Sequence, residues 1–291
     1  MNSLKTIIDS RVAEYCGDQK HCSADHIINV SQVVENIVFM KSNKHDGNVG
    51  HYSDHIIQGT RRLQVYLSLL FTSMLSHGFS PLGMCISTLV PIPKNQRKSL
   101  GDSNNYRAIA LSSILGKLLD RIILSKYQDK FITSDYQYGF KKEHSTVHCT
   151  FVVNEIIQYY NNNNSDVYSV LLDASRAFDR VNYVKLFKLL LKRNLCPCIC
   201  KFILNLNTSQ TIRVKWGDSD SDYDNISDQV LVSNGVKQGG VLSPILFIVY
   251  MEELLMAPRV ILVLDAILAI NTVDHSDMQM MSSFYVLLYI L

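Results

Sequence analysis

One short apolar run constrains this chain more than any other feature of its sequence. Residues 167–172 read VYSVLL and are followed by Asp173, and a β-branched, apolar run of this length is typical of a buried strand. The carboxyl end of such a strand is where α/β proteins place groups that bind ligands and metal ions. Taken alone, Asp173 could equally be a helix cap or a partner in a loop salt bridge.

Hydrophobic spacing predicts the elements around this strand. Leucines and other apolar residues recur at helical spacing over Leu63–Leu75, and Gly78 with Pro81 is expected to end that helix. The alternation of strands with helices predicts an α/β or α+β class. The other predicted elements are a strand over Ile86–Ile92 ended by Pro91 and Pro93, a helix with Leu111, Leu115, Leu118 and Ile122 on one face, helices over Phe151–Tyr160, Val184–Leu191 and Ile245–Met256, and a hairpin over Thr211–Val232.

Charge is distributed unevenly along the chain, although the net charge is only +2. Residues 86–130 carry eight Lys or Arg against three Asp, and residues 176–215 carry nine against one acid. Residues 217–228 hold five Asp and no basic residue. Such runs are usually solvated faces, but two basic segments around Asp173 also suit a polyanionic partner.

The seven cysteines and the apolar runs argue against secretion and membrane insertion. Residues 1–16 are polar and lack the apolar core of a signal peptide, so a reduced intracellular setting, cytoplasm or nucleus, is expected. Cys196, Cys198 and Cys200 have no second ligand cluster at zinc spacing and are interpreted as structural. The run Val260–Ile270 has 11 residues, whereas a membrane-spanning helix needs roughly 20.

Three strings carry the chemistry. Asp173 is followed by Phe178 and Asp179, so that an aromatic side chain could be a packing wedge or a wall that senses substrate shape. Residues 234–244 read NGVKQGGVLSP, in which adjacent glycines allow the backbone to approach a flat ligand closely. Lys94 and Arg107 flank a predicted hairpin and could bind phosphate as a point charge and a bidentate fork, or simply be surface cations.

Together and in this order, these strings resemble the reverse transcriptases of non-LTR (LINE-type) retrotransposons. The resemblance covers residues 45–257. The strings that carry it are LVPIPK, SNNYRAIALSSILGKLLDRIILSKY, YQYGFKKEHST, LLDASRAFDRVNYVKLFKLLLKR and NGVKQGGVLSPILFIVY.

The resemblance implies an RNA-directed DNA polymerase that joins deoxynucleoside triphosphates to a primer 3′-hydroxyl on an RNA template. Asp173 matches the first catalytic aspartate, a ligand of two Mg²⁺ ions, with Mn²⁺ as an alternative. Phe178 matches the gate that excludes a ribose 2′-hydroxyl. Lys94 and Arg107 match the cations that hold the triphosphate. The loop that lines the nascent base pair is matched by Lys237, Gln238 and Gly239.

The fold that the resemblance implies is α+β, with the fingers and palm of a right-hand polymerase, an antiparallel palm sheet backed by helices, and no thumb. The expected organisation is an N-terminal extension over residues 1–60, fingers and palm over 61–257, and a divergent tail over 258–291. On this view the chain is a truncated or degenerate piece of a longer polyprotein.

The sequence departs from the family at the second metal site. The family has Tyr-Ala-Asp-Asp there, whereas the best match here is Asp265 followed by Ala266. Asp265 is taken as the second catalytic and metal-binding candidate, with a solitary Asp in an apolar tail as the alternative. One acid in place of two predicts slow or absent polymerisation.

Two other functions fit parts of the sequence. The first is a catalytically dead remnant of the same fold that binds nucleic acid or a protein. The second is a phosphotransferase that forms an aspartyl phosphate. That chemistry calls for a second acid two residues after Asp173, where the chain has Ser175.

Overall fold

The computed structural model describes residues 2–17, 26–47, 50–135, 137–173, 177–216, 225–237, 239–255, 261–264 and 284–290. The contacts divide the chain into two units. The first comprises Met1–Lys130 and Asn182–Ser243, and the second Phe131–Val181 and Pro244–Leu291. Each unit contains helices and a sheet, so the predicted α+β class is confirmed.

The described residues contain ten α-helices, three short 3₁₀ helices and eight strands. In chain order, the helices are α1 (Asn2–Gly17), α2 (Val30–Ile37), α3 (Ser53–Ile57), α4 (Arg61–His77), α5 (Leu82–Cys85), α6 (Ile114–Lys126), α7 (Thr146–Asn162), α8 (Tyr183–Lys192), α9 (Pro197–Thr208) and α10 (Ser243–Leu255). The strands are β1 (Ile86–Pro93), β2 (Tyr106–Leu111), β3 (Val167–Asp173), β4 (Thr211–Trp216), β5 (Asn225–Ile226), β6 (Val230–Leu231), β7 (Ile261–Leu264) and β8 (Phe284–Ile290).

The sheet of the first unit is centred on β1. This strand pairs antiparallel with β2 and parallel with β4, which in turn pairs antiparallel with β5 and β6. The pairing of β1 with β4 stops at Leu89, so Pro91 need not donate an N–H on that side, and the strand continues through it. The strand predicted over Ile86–Ile92 is thus confirmed, and it ends one residue later than predicted, at Pro93. The hairpin predicted over Thr211–Val232 is also confirmed, with its tip, residues 217–224, outside the described residues.

Helix boundaries follow local capping. The helix predicted over Leu63–Leu75 is α4, and Gly78 caps it at φ 62°, a conformation that favours glycine. A Cβ on Gly78 would also lie 2.8 Å from Cγ of Lys201. The helix predicted to include Leu111 begins later, because Ser113 caps α6 by accepting from the N–H of Gly116. Leu111 belongs to β2, so this start was predicted wrongly.

The core of the first unit lies between packed helices, of which α9 is buried on most of its surface. Helix α9 packs against α1, α4 and α8, while α2 packs against α4 and α6. Cys196, Cys198 and Cys200 are buried at the start of α9, in agreement with a structural role. Burial raises the pKa of the Cys200 thiol, which keeps it protonated and unreactive. The large, fully buried side chains of these helices include Phe71, Leu75, Leu118, Phe187 and Phe202.

The second unit is a three-stranded antiparallel sheet with helix α7 against it. Its strand order is β3-β8-β7, and α7 contacts both β3 and β7. Cys149 of α7 is fully buried, and Tyr138, Val153, Ile156 and Val167 pack against it. The strand predicted to end at Asp173 is present with those bounds.

One buried hydrogen bond yields a stability prediction. The Tyr183 hydroxyl of α8 donates to the carbonyl oxygen of Gly235 at 2.7 Å. Tyr183→Phe is expected to lower the free energy of unfolding by about 1–3 kcal/mol, because a buried carbonyl loses its donor. Urea unfolding measures this. Tyr66→Phe, on an exposed side chain of α4, is the control, and equal losses in the two variants would contradict the prediction.

Candidate active site

Asp173 is the last residue of β3 and pairs with Phe284 of β8. On the other side of β8, Leu264 ends β7 and pairs with Tyr285. Because β3 and β7 are both antiparallel to β8, they run parallel to each other, and their carboxyl ends meet at the same edge of this sheet. Asp265 follows Leu264 in the sequence and lies outside the described residues.

Phe178 is held by two other aromatic rings of the second unit. It begins a short 3₁₀ turn, Phe178–Arg180. Its ring stacks on Phe247 of α10, with centroids 5.0 Å apart and planes at 28°, and it meets the edge of Phe140 at 5.9 Å and 83°. Phe247 is buried, so Phe178 has a fixed support on one face. Sequence reasoning missed both partners, although each lies within a string that carries the resemblance.

Lys94 and Arg107 are exposed at the same end of the β1–β2 hairpin. Arg107 is opposite Ile92, two residues before Lys94. The Lys94 N–H donates to the carbonyl of Asn105 at 2.6 Å, and its Nζ donates to the carbonyl of Asn104 at 2.9 Å. The backbones of the two cationic residues therefore lie near each other along the hairpin.

Asn105, which sequence reasoning missed, organises the loop between these cations. Its side chain is buried. Nδ2 donates to the carbonyls of Asn95 at 2.9 Å and Ser99 at 3.3 Å, and Oδ1 accepts from the N–H of Asn95 at 3.2 Å. The only sequence signal is an Asn between a turn and a strand, which is too common to identify such a role.

Gly239 approaches the β2 backbone more closely than any other residue type could. It adopts φ 96°, and a Cβ there would lie 2.9 Å from the carbonyl oxygen of Ala110. The absence of a side chain on Gly239 therefore allows contact with β2, and the close approach to a flat ligand stays a prediction. Gln238, the neighbouring candidate, lies outside the described residues.

Lys237 is partly buried and faces Asp120 of α6. Burial lowers the pKa of Lys237, while Asp120 opposes that shift. Burial raises the pKa of Asp120 to about 6, and Lys237 and the N–H groups of Leu242 and Val241 act in the opposite direction. The carboxylate oxygen Oδ2 of Asp120 accepts from the N–H of Leu242 at 3.4 Å. Asp120 was not among the predicted site residues, because one acid on an amphipathic helix gives no signal.

The candidate residues divide between the two units. Lys94, Arg107, Lys237 and Gly239 belong to the first unit, and Asp173 and Phe178 to the second. Within the described ranges, no group of three or more His, Cys, Asp or Glu side chains could hold a metal ion. No helix in the same ranges has the length and apolarity needed to cross a membrane.

Comparison with known proteins agrees with the motifs. Residues 92–272 match the family described as reverse transcriptase (RNA-dependent DNA polymerase). The chain is 29% identical over 194 residues to the RNA-directed DNA polymerase from mobile element jockey of Drosophila melanogaster, covering 65% of this chain and 20% of that protein. It is 27% identical over 235 residues to the probable RNA-directed DNA polymerase from transposon X-element of the same species, covering 77% and 24%.

Two further similarities have lower sequence identity. The retrovirus-related Pol polyprotein from type-1 retrotransposable element R2 of Popillia japonica is 25% identical over 164 residues, covering 56% of this chain and 22% of that protein. A solved structure of apo telomerase from Candida tropicalis, truncated from its C-terminal domain, is similar at a TM-score of 0.39 and 13% identity, covering 97% of this chain and 75% of that chain.

The chain spans about a fifth to a quarter of the length of these curated relatives. The family match, by contrast, takes in more than half of this chain, and it includes Arg107, Asp173 and Gly239. The resemblance to retrotransposon polymerases is thereby confirmed, and the chain belongs to the reverse transcriptase (RNA-dependent DNA polymerase) family.

Proposed function

We propose that this chain is the fingers and palm of an RNA-directed DNA polymerase of retrotransposon origin, which adds deoxynucleotides to a primer 3′-hydroxyl. The observation that carries the proposal is the placement of Asp173 at the carboxyl end of β3, five residues before a Phe178 ring that stacks on Phe247. A carboxylate at a strand end can bind a metal ion, and a fixed aromatic ring nearby in sequence can contact the sugar of a nucleotide.

Asp173 fits a hard divalent cation, because Mg²⁺ takes oxygen ligands and retains several waters. We assign the Mg²⁺ ligands to Asp173 and Asp265, with Asp265 supplied by the sequence after β7. The chemistry that two bound ions supply is stabilisation of charge at the attacking and leaving oxygens of an in-line phosphoryl transfer. With Ala266 in place of a further acid, we expect this transfer to be slow.

Phe178 is proposed to exclude ribonucleotides by contact with the sugar. A ring can reject one extra hydroxyl only if it cannot move aside, and the stack on Phe247 together with the edge contact from Phe140 restrains it. The sequence left two alternatives for Phe178, packing against other side chains or contact with the substrate. One side chain can do both.

Arg107 and Lys94 are proposed to bind the triphosphate. Arg107 offers a planar fork that can engage two phosphate oxygens, and Lys94 adds a point charge. Both are exposed at one end of the hairpin, where a charged ligand can reach them without desolvating the core.

A basic face on α8 is proposed to contact the phosphates of the template–primer duplex. Lys185, Lys188 and Lys192 are all exposed on this helix, and their spacing places them along one side of it. Contacts of this kind hold nucleic acid without reading its sequence.

Replacement of the strand-end carboxylate tests the enzyme assignment. Asp173→Asn is expected to lower the rate of primer extension on an RNA template by about 100-fold or more, because the variant side chain no longer carries the negative charge of a metal ligand, while RNA binding is retained. Extension is measured with excess enzyme and Mg²⁺ or Mn²⁺. Asp166→Asn, an exposed acid just before β3, is the control. A wild-type chain that binds RNA but extends no primer would instead support a binding remnant.

Shortening the aromatic wall tests sugar selection. Phe178→Val is expected to reduce the preference for deoxynucleotides over ribonucleotides by about 10- to 100-fold, because space opens for a 2′-hydroxyl. Competing single-nucleotide incorporation measures the ratio. Phe151→Val, on an exposed side chain of α7, controls for the loss of a ring. An unchanged ratio with normal deoxynucleotide incorporation would exclude the gate.

The basic face of α8 is tested by salt dependence, which needs no catalysis. Replacing all three lysines with Ala is expected to reduce the slope of log K against log salt by about 2 to 3, because each lysine neutralises about one phosphate of the duplex. Fluorescence anisotropy with an RNA–DNA duplex measures it. The control replaces three exposed lysines elsewhere, Lys5, Lys41 and Lys142. The same change in both triple variants would show a general effect of net charge.

A further inference from the structure

We propose that Asp120 is a positioning residue for the polymerase reaction, and that its carboxylate holds the glycine loop in the conformation that lines the nascent base pair. We use "glycine loop" for Asn234–Lys237 and Gly239–Leu242. The inference rests on the proposed function, since it assigns that loop its role. It also gives Lys237 a different part, that of an anchor in place of a direct substrate contact.

The first observation is the pair of backbone N–H groups at the end of the loop. The N–H of Leu242 donates to Oδ2 of Asp120 at 3.4 Å, and the N–H of Val241 is also directed at this carboxylate. Leu242 is buried, so water has little access to replace the carboxylate as the acceptor. Asp120 thereby joins the end of the glycine loop to α6.

The second observation is the arrangement of charges around Asp120. Lys237 faces it from the glycine loop, and Lys117 faces it from one turn earlier on α6. Lys117 in turn faces Asp46 and Lys44, and Lys237 also faces Cys85. Asp120 therefore interacts with two partly buried lysines, Lys117 on α6 and Lys237 on the glycine loop.

Two other anchors of the glycine loop do not titrate near neutral pH. At its start, the Tyr183 hydroxyl donates to the carbonyl of Gly235, and burial raises the pKa of Tyr183 to about 12. In its second half, Gly239 lies against the backbone of Ala110. Of these three anchors, the contact with Asp120 is the one that depends on a group whose pKa is about 6.

The sign of the pH effect separates positioning from stability. Because burial raises the pKa of Asp120 above its usual 3.8, ionising it costs folding stability as pH rises through about 4 to 6. The attraction between Asp120 and Lys237 has the opposite trend, since it exists only when the carboxylate is charged. Ionisation of Asp120 lowers the global stability as pH rises. If the amides of the glycine loop become better protected from exchange over the same pH range, that gain therefore cannot come from the effect of Asp120 on global stability.

Hydrogen–deuterium exchange of the full chain tests the anchor without requiring catalysis. In the wild type, protection of the Val241 and Leu242 amides, corrected for intrinsic rates, is expected to rise about 10-fold between about pH 5.5 and pH 7.5. The midpoint is expected between about 6 and 7, because a 10-fold change requires the pKa of Asp120 to be about one unit higher when the loop is open. Asp120→Asn should lose this midpoint, and Asp120→Glu should restore part of it. Asp129→Asn, an exposed acid beyond α6 paired with Lys130, should behave as the wild type.

A second variant keeps the test decisive if Asp120→Asn folds poorly. Lys237 lowers the pKa of Asp120, so Lys237→Met should move the midpoint upward rather than abolish it. A midpoint that survives in Asp120→Asn, or one that does not move in Lys237→Met, would overturn the proposal.

Primer extension supplies the functional arm. Asp120→Asn is expected to raise KM for the deoxynucleotide about 10-fold and to remove the acidic limb of the pH profile, while Asp120→Glu should recover both in part. An intact exchange midpoint without any extension by the wild type would reject the polymerase function alone. Extension that is normal in Asp120→Asn at every pH would reject the positioning role alone.

Discussion

The antiparallel pairing of β1 with β2 is the constraint on which the candidate site of the first unit depends. Its register sets Arg107 opposite Ile92 and brings Lys94 to the same end of the hairpin. Farther along β2, the carbonyl of Ala110 lies so close to Gly239 that a side chain there would collide with it. One strand pairing therefore determines where the cations lie, and it also supplies the backbone surface against which Gly239 packs.

In the second unit, the corresponding constraint is aromatic packing. Phe247 is buried on α10 and provides a flat surface for Phe178. Phe140 reaches the same ring while holding a φ of 54°, a conformation that is unfavourable for a bulky side chain and persists only where surrounding contacts hold it. The positive φ of Phe140 costs backbone energy, and the contact between the Phe140 and Phe178 rings offsets that cost.

The sequence predicted what depends on neighbours along the chain and missed what depends on distant contacts. The bounds of β3 and the end of α4 at Gly78 followed from apolar spacing and glycine conformation. The continuation of β1 through Pro91 did not, because it depends on where β4 stops pairing. The stack of Phe178 on Phe247 and the contact of Asp120 with the glycine loop join segments that are far apart in sequence. The spacing of apolar residues along the chain cannot predict such contacts.

The proposed role of Asp120 explains why this chain would keep two charges that burial penalises. Desolvation opposes the charged form of both groups, so an apolar pair of similar volume would cost less to bury. Apolar packing, however, has no preferred direction. The glycine loop is unusually free to change conformation, because Gly235 and Gly239 adopt positive φ, so a directional contact is needed to restrict it. A carboxylate that accepts from the N–H of Leu242 and attracts Lys237 selects one backbone path among many. Geometry of that kind, more than added stability, is what discrimination at a nascent base pair would require.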